Sequence, residues 1–280
     1  MCSTLKYNYC IGRNFDYEVS YNEELRVIEK HTYDNEYKII GMCTGIIKDY
    51  PLLYDGMNER GLCVCGLAFM GNAVYNPVCD DKLNIPSYKF PLEILSKYEN
   101  LEEVKNLLDN VNITNEQYSE NFPPSDLHWF IADKDESIIV EQTKDGLNYY
   151  EGELMTNNPP YPQQLENYHI MESKIGNINF KLDSEYNTRG LETYYLSGDY
   201  TSMGRFERLA YIKEKLEETD NSFNDANQVL HLLSSIEQIY GLTDVNGSFE
   251  YTIYSIVYDM DNLEVYLKFY NDFDLIREKF

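Results

Sequence analysis

The sequence predicts an α+β fold with antiparallel sheets. Short segments rich in β-branched and aromatic residues lie toward both ends of the 280-residue chain, whereas helical periodicity is concentrated between them. Several of the strand-like segments follow one another across connections of hairpin length, which favours antiparallel pairing. No linker divides the chain, so we expect a single domain over residues 1–280.

Four segments in the first half have the composition of strands, namely residues 38–47, 62–69, 127–132 and 137–142. The polar residues 133–136 join the last two segments and predict a hairpin. Near the end of the chain, residues 250–258 and 262–270 flank the short polar segment 259–261. This arrangement predicts a second hairpin.

Three segments repeat apolar residues at helical spacing. The first runs from Leu101 to Val111, with Asn100 as its N-cap. The second spans residues 203–216. The third begins near Asn224 and uses Val229, Leu232, Leu233, Ile236 and Tyr240. We interpret these faces as core packing, and the polar, proline-bearing segments 112–126 and 155–164 as loops.

The charge argues against nucleic acid as a partner. The chain has 23 Lys and Arg against 48 Asp and Glu, a formal net charge of −25, which repels phosphate backbones. The first residues do not have the pattern of a secretory signal, and the longest apolar run, residues 62–70, is too short for a membrane helix. We therefore expect a cytoplasmic protein with no membrane partner.

The six cysteines all lie in the first third of the chain, at positions 2, 10, 43, 63, 65 and 79. Cys63 and Cys65 are two residues apart on a predicted strand, so their side chains share one face. Their spacing lacks the second paired motif of a zinc site. We interpret them as small core residues and expect no metal. The alternative is a redox or metal protein built on this pair.

Cys2 is the candidate nucleophile. The residue at position 2 has a small side chain, which permits removal of the initiator methionine, so we expect Met1 to be absent from the mature protein. The thiol and the α-amine then belong to one residue. An α-amine has a pKa of ~7.7–8.0 and a thiol of ~8.5, so the amine can act as the base of the thiol without a histidine.

Residues 12–17 (GRNFDY) resemble the arginine and aspartate motif of the choloylglycine hydrolase family, which contains bile salt hydrolases and penicillin V acylases. Further matches follow in order at residues 58–62 (NERGL), 66–67 (GL), 127–130 (LHWF), 140–142 (VEQ), 155–159 (MTNNP), 196–201 (LSGDYT) and 205–211 (RFERLAY). Their shared order and spacing carry the resemblance over nearly the whole chain.

The resemblance implies an N-terminal-nucleophile hydrolase with a four-layer αββα fold, in which two antiparallel sheets stack face to face between helical layers. It implies five catalytic residues: Cys2 as nucleophile, Arg13 beside the thiol, Asp16 at the Cys2 ammonium, Asn157 as side-chain oxyanion donor, and Arg205 in the charged shell. Neither a metal nor an organic cofactor is needed.

The resemblance also implies that the backbone N–H of Ala68 is the second oxyanion donor. Bile salt hydrolases usually carry asparagine at this position and penicillin acylases often carry tyrosine, so Ala68 bears on substrate preference. Simpler interpretations stay open: Arg13 and Asp16 as a surface ion pair, and Asn157 as a turn residue. We predict that His128 is a buried structural histidine.

The implied reaction is hydrolysis of a linear, non-peptide C–N amide bond in a small molecule. The leading expectation is a conjugated bile salt that releases glycine or taurine. The alternatives are penicillin V, an N-acyl homoserine lactone, or a non-catalytic binding protein with the same fold. The resemblance further implies a homo-oligomer, a tetramer. We expect substrate preference to depend on loops near residues 15–25, 50–58, 68–76 and 120–126.

Overall fold

Two seven-stranded antiparallel sheets form the centre of the computed structural model, which describes residues 1–177, 189–219 and 223–280. The strands are β1 (Cys2–Tyr7), β2 (Cys10–Tyr17), β3 (Glu24–Ile28), β4 (Ile39–Cys43), β5 (Leu53–Asn58), β6 (Cys63–Ala68), β7 (Leu83–Pro86), β8 (Val111–Thr114), β9 (Leu127–Ala132), β10 (Ser137–Thr143), β11 (Gly146–Glu151), β12 (Leu154–Met155), β13 (Thr243–Val245), β14 (Ser248–Asp259), β15 (Glu264–Phe269) and β16 (Ile276–Lys279). The helices are α1 (Phe90–Lys97), α2 (Leu101–Leu108), α3 (Tyr161–Glu172), α4 (Ser202–Glu217) and α5 (Asp225–Ser234).

The first sheet has the strand order β12-β1-β2-β14-β15-β16, with β13 paired to β14, and the second has the order β11-β10-β9-β6-β5-β4-β3. Helices α4 and α5 pack on the first sheet, and α3 packs on α4. Helices α1 and α2 cover the outer face of the second sheet. This arrangement confirms the four-layer αββα fold. In the described ranges, no helix combines the length and apolar character needed to cross a bilayer.

The side chains of β6 alternate between two cores, as a strand buried on both faces requires. Cys63, Cys65 and Leu67 belong to the core shared by the two sheets, whereas Val64 belongs to the core under α1 and α2. The prediction that the two cysteines share a buried face is confirmed. Both predicted hairpins are also confirmed, as β9–β10 and β14–β15.

Gly12 allows helix α5 to lie directly against the backbone of β2. A Cβ atom at this position would overlap the side chain of Val229 and press on Leu233. The next outward-facing residue of β2, Asn14, donates its side-chain amide to the carbonyl of Leu233 at 3.0 Å. The contact between α5 and β2 therefore depends on the glycine that opens the first family motif.

The predicted helices are present, with corrected ends. The side chain of Asn100 caps α2, and that of Asn224 caps α5. The prediction that Val111 ends the first helix is wrong, because it begins β8, which pairs in parallel with β7. The predicted loop 112–126 is corrected at its start for the same reason, since β8 continues to Thr114. Ile236 and Tyr240 are also outside the third helix, because α5 ends at Ser234. Ile236 is nevertheless buried, whereas Tyr240 is 59% exposed.

One predicted loop contains a helix. Residues 155–164 read as a loop because of their prolines, yet α3 begins at Tyr161. Proline is tolerated in the first turn of a helix, where its missing N–H has no intrahelical partner. The prolines near residue 160 therefore mark the start of a helix rather than an extended loop.

Candidate active site

The predicted site residues come from distant parts of the chain and meet at the end of the first sheet. Cys2 begins β1 and is paired with Phe15 of β2, the strand that also carries Arg13 and Asp16. Strand β12 pairs with the other edge of β1, so Asn157 follows directly beside Cys2. Strand pairing thus positions Cys2, Arg13, Asp16 and Asn157. The fifth predicted catalytic residue, Arg205, lies on helix α4.

Cys2 is 4% exposed, and the chain in this structure still carries Met1. The Cys2 sulfur lies 3.6 Å from Nη2 of Arg13. The backbone N–H of Cys2, which becomes the α-amine when Met1 is removed, donates to Oδ1 of Asn157 at 2.9 Å. The predicted positive charge beside the thiol is therefore present in the structure.

Arg13 is held by a second set of contacts that the sequence reasoning missed. Its Nη2 donates to the carbonyl of Gly66 at 2.7 Å, and its Nη1 forms an ion pair with Asp55. The hydroxyls of Tyr254 and Tyr258 also donate to the Asp55 carboxylate. Burial opposes the charge on Arg13, yet these anionic and phenolic neighbours raise its pKa above the ordinary value.

Asp16 lies close to the other site residues, but its carboxylate does not contact the nitrogen of Cys2. It accepts hydrogen bonds from Thr252 Oγ1 at 2.6 Å and Gln238 Nε2 at 2.9 Å, and it lies 3.7 Å from Nη1 of Arg205. The ammonium of Met1 instead donates to the backbone carbonyl of Asp16 at 2.6 Å. In the chain that retains Met1, the backbone carbonyl of Asp16 thus contacts the amino terminus.

Arg205 reaches the site from the first turn of α4 and is fully buried. Its Nη1 donates to the carbonyl of Cys2 at 2.7 Å, and its Nη2 donates to Oδ1 of Asn157 at 2.8 Å. Burial lowers the pKa of Arg205, against the raising effect of the Asp16 carboxylate. The first bond orients the carbonyl of Cys2, and the second orients the Asn157 oxygen that accepts from the N–H of Cys2.

The side-chain amide of Asn157 has a fixed orientation. Its Oδ1 accepts from Cys2 and Arg205, so its Nδ2 points the other way and donates to the carbonyl of Ala68 at 2.8 Å. The preceding residue, Thr156, is anchored by His128, whose Nε2 lies 2.9 Å from the Thr156 carbonyl. His128 is fully buried, as predicted.

The backbone groups of Ala68 lie at the strand edge that the side chain of Asn157 approaches. Leu67 of β6 is paired with His128 of β9. The N–H of Phe69 donates to the backbone carbonyl of Asp126, so the N–H of Phe69 faces β9. Successive residues of a strand direct their N–H and C=O groups to opposite edges. The N–H of Ala68 therefore lies on the edge away from β9, the edge at which Asn157 reaches the Ala68 carbonyl.

A cluster of aromatic side chains adjoins Cys2. The ring of Phe15, the ladder partner of Cys2, lies 4.7 Å from that of Tyr54 and 5.1 Å from that of Tyr254. Tyr17 and Tyr21, with ring centroids 6.1 Å apart, are half-buried and continue this cluster. Rings with hydroxyl tips suit an apolar acyl group that carries a few polar substituents.

The other cysteines offer no comparable chemistry. Cys65 is buried, and burial raises the pKa of its thiol to about 12. The pKa of Cys63 is raised for the same reason. Across residues 1–177, 189–219 and 223–280, no group of three or more His, Cys, Asp or Glu side chains could hold a metal ion. A redox or metal function built on Cys63 and Cys65 has no support in these surroundings.

Comparison with known proteins gives consistent matches. The model of the linear amide C–N hydrolases, choloylglycine hydrolase family, matches residues 1–279. A bile salt hydrolase/transferase of Lactiplantibacillus plantarum is 38% identical over 97% of this chain and 90% of its own. A conjugated bile acid hydrolase of Clostridium perfringens superposes with a TM-score of 0.91 at 29% identity, covering 100% of this chain and 92% of that one. Penicillin V acylase of Agrobacterium tumefaciens shares the fold, with a TM-score of 0.73 at 17% identity over 100% and 86% of the two chains.

Proposed function

The chain belongs to the choloylglycine hydrolase family and is a hydrolase of linear amide C–N bonds, and on this premise we propose that Cys2, freed of Met1, is its nucleophile. One observation carries the proposal: the Cys2 sulfur lies 3.6 Å from a buried guanidinium, while the nitrogen of the same residue is bonded to Asn157. A surface ion pair and an ordinary turn residue do not explain this buried arrangement.

In the first step, the α-amine of Cys2 takes the proton of the thiol, and Arg13 stabilises the resulting thiolate. Asn157 holds the amine through its Oδ1. The Asp16 carboxylate holds Arg205 and, once Met1 has left, adds a negative charge that favours the ammonium form. The sulfur then attacks the carbonyl carbon of the amide and forms a tetrahedral oxyanion.

Two donors receive this oxyanion in the proposal: Nδ2 of Asn157 and the backbone N–H of Ala68. The N–H of Ala68 and the side-chain amide of Asn157 lie at the same edge of β6, which supports this pair of donors. In the structure, the Ala68 carbonyl accepts from Nδ2 of Asn157 and keeps that amide directed toward the edge. A single donor of this kind contributes about 3–4 kcal/mol to transition-state stabilisation. Every residue except proline supplies the N–H, so Ala68 suffices.

The protonated α-amine next gives its proton to the leaving nitrogen, and the C–N bond breaks to release the amine. Water then attacks the thioester, the amine takes a proton from that water, and the acid is released with regeneration of the thiol. The thiol and the attacking water supply the protons that move, and the α-amine of Cys2 carries them, so the proposed reaction needs neither a metal nor an organic cofactor.

The proposed substrate is a conjugated bile salt, whose steroid acyl group would lie against the aromatic cluster around Phe15 and Tyr54. The names of the relatives support this choice, as does the aromatic character of the residues beside Cys2. Penicillin V and N-acyl homoserine lactones are the alternatives within the same chemistry. The family assignment gives no support to the alternative of a non-catalytic binding protein of this fold.

Two measurements test the proposal. Intact mass of the purified protein is expected to show loss of Met1, and incubation with glycocholate, taurocholate, penicillin V and acyl homoserine lactones is expected to show cleavage of the bile salts by mass spectrometry. A protein that has lost Met1 and cleaves none of the four would mean that its substrate is a different amide. Cleavage of penicillin V alone would replace the proposed substrate.

We also keep as proposals the single domain, the cytoplasmic location and the homo-oligomer, with a tetramer as the specific expectation. The family match over residues 1–279 supports a single domain. The family resemblance supports an oligomer. Light scattering coupled to size-exclusion chromatography tests the oligomer, and cell fractionation tests the location.

A further inference from the structure

His128 contacts the residues next to both proposed oxyanion donors. Its Nε2 lies 2.9 Å from the carbonyl of Thr156, the residue before Asn157. Its ring stacks on that of Phe69, the residue after Ala68, with centroids 4.3 Å apart and an angle of 6° between the planes. One imidazole therefore joins the two chain segments that supply the donors, although the donors are 89 residues apart in the sequence.

The peptide unit that leads into Asn157 is held at both of its ends. The carbonyl of Thr156 is bonded to His128, and the N–H of Asn157 donates to Oγ of Ser202 at 2.9 Å. A peptide unit is planar, so contacts to its carbonyl and its N–H fix the plane and the direction in which the Asn157 side chain leaves the backbone. His128 therefore acts on the direction of the Asn157 amide without touching it.

Glu141 sets the orientation of the imidazole. Nδ1 of His128 lies 3.2 Å from Oε1 of Glu141, which also accepts from the N–H of Tyr161 at 3.0 Å. A carbonyl can only accept, so the Nε2 that faces Thr156 carries a hydrogen. Two acceptors do not pair, so a proton also lies between Nδ1 and Oε1. Rotation of the ring by half a turn would place carbon atoms at both contacts, which the two partners therefore oppose.

The contacts of His128 leave it no proton to exchange with the substrate. Both ring nitrogens are bonded, one to Thr156 and one to Glu141, and the side chains of His128 and Glu141 are 0% and 1% exposed. Burial of such a polar pair is costly, and apolar residues of similar volume could fill the same space. These contacts argue against a Cys/His pair with Cys2 and favour a role in geometry.

We propose that His128, held by Glu141, is a positioning residue that keeps the two oxyanion donors at the separation that the tetrahedral oxyanion requires. The inference rests on the proposed function, because it takes Asn157 and Ala68 as the donors. The hydrogen bond from the imidazole directs the Asn157 amide, and its stack on Phe69 supports the strand end that carries the Ala68 N–H. Displacement of such a group by about 1 Å lowers a rate by as much as about 10²-fold.

The first test compares attack through an oxyanion with attack that forms none. Protein verified by mass to lack Met1, with Cys79→Ser to remove a half-buried thiol, reacts with p-nitrophenyl acetate or with iodoacetamide. The ester is attacked through a tetrahedral oxyanion, whereas alkylation depends on the thiolate alone. His128→Phe keeps an aromatic ring and removes the bond to Thr156. It is expected to lower acylation of Cys2 about ten-fold to a hundred-fold and to leave alkylation within about two-fold. Unchanged acylation, or equal losses in both reactions, overturns the inference.

Two further variants separate positioning from a loss of stability. His128→Gln has an amide that can donate to the Thr156 carbonyl, so it is expected to recover a large part of the acylation rate that His128→Phe loses. Val104→Ala truncates a buried side chain of α2 in the other core, and it should leave the ratio of acylation to alkylation unchanged. A Val104→Ala protein with the same lowered ratio, at equal stability in urea, would mean that the loss reflects destabilisation and would overturn the inference.

A double-mutant cycle shows whether His128 acts through Asn157. In the Asn157→Ala background the amide donor is absent, so His128→Phe should cause little further loss of acylation. Phe69→Leu removes the ring that stacks on His128 beside Ala68, so it should still lower acylation in that background, because it acts on the other donor. Fully additive losses for His128→Phe and Asn157→Ala overturn the inference.

The same reactions separate this inference from the proposed function, and they need no bile salt. Asn157→Ala protein that is acylated as fast as the wild type means that the donor assignment itself is wrong, and the proposed function then fails together with the inference. Slow acylation of Asn157→Ala with fast acylation of His128→Phe overturns the inference alone. Slow acylation of both variants, with alkylation unchanged, supports the positioning role of His128.

Discussion

Arg13 and Asp55 form an ion pair between the two sheets in which the side chains are 1% and 0% exposed. Arg13 lies on β2 and Asp55 on β5, so the pair joins the sheet that carries Cys2 to the sheet that carries Ala68. The same guanidinium touches the thiol and the carbonyl of Gly66. The charge beside the Cys2 thiol is therefore positioned by the opposite sheet.

Removal of Asp55 is expected to destabilise the protein and to disturb its activity. Asp55→Ala leaves the Arg13 charge buried without its partner, a loss of about 3–5 kcal/mol in the free energy of unfolding. Urea denaturation measures this loss. The control is Asp261→Ala, which removes an exposed pair with Lys134 and should cost less than about 1 kcal/mol. Equal effects of the two substitutions would contradict the structural role of Asp55.

A double variant separates stability from chemistry at this pair. Arg13→Met combined with Asp55→Leu removes both charges, so its stability is expected to exceed that of Asp55→Ala. Its turnover should nevertheless remain lost, because no charge lies beside the Cys2 sulfur. Denaturation and a turnover assay on the same preparation check both parts. Recovered turnover would mean that Arg13 does not act on the thiol.

Replacement of Cys2 is expected to abolish turnover and to preserve the fold. Cys2→Ser has a far less acidic nucleophile and a modest base, so most activity is lost, and Cys2→Ala has no nucleophile. Cys79→Ser, at a half-buried cysteine that is not part of the site, is the matched control and should retain activity. An uncleaved N-terminal tag should inactivate the enzyme to the same extent. Wild-type rates for the two Cys2 variants would rule out the mechanism.

Asn157→Ala is expected to lower kcat by about 10²–10³ with a smaller change in KM, because its amide donates chiefly to the developing oxyanion. Steady-state kinetics on the best substrate measure both constants. The neighbouring Asn158→Ala removes only a bond from an exposed side chain to the carbonyl of Met70 and should leave kcat nearly unchanged. A raised KM with unchanged kcat would make Asn157 a residue that positions the substrate.

Ala68 is expected to affect specificity rather than catalysis. Ala68→Asn keeps the backbone N–H and changes the wall of the pocket, and such changes alter discrimination by about 1–3 kcal/mol per methylene-sized group. The ratio of kcat/KM values for bile salts and penicillin V should shift, with both substrates still cleaved wherever the wild type cleaves them. Ala68→Gly is the control for the backbone. Loss of turnover on every substrate, in a folded variant without Met1, would contradict the backbone role.

Local patterns predicted much of the fold and less of the site. The helices α2, α4 and α5 and the two hairpins follow from periodicity and turn composition, which depend on neighbouring residues. Helix α3 is absent from the sequence prediction, because prolines indicate a loop unless they are known to lie at the start of a helix. The strand β8 was missed because Val111 continues the apolar spacing of α2, while its pairing with β7 depends on residues far along the chain.

The family motif placed Cys2, Arg13, Asp16, Asn157 and Arg205 within one site, and the structure brings them together. Asp55 and Glu250 could not be identified in the same way, because the partner of each is set by packing between distant strands. A charged residue within an otherwise apolar strand was the one available signal for Asp55. No pattern in the sequence indicated Glu250, because its partner in the structure is the amino-terminal nitrogen of Met1.

The position of β1 between β12 and β2 has a consequence for biosynthesis. Its partner β12 and the strand β14, which flanks β2, are translated about 150 and 250 residues after Cys2. At the usual 5–20 residues per second, the amino terminus waits roughly ten to fifty seconds before that sheet can close. Once β1 docks, Glu250 and the Asp16 carbonyl enclose the terminal ammonium. The topology therefore leaves an interval on the ribosome in which the proposed removal of Met1 can precede assembly of the site around Cys2.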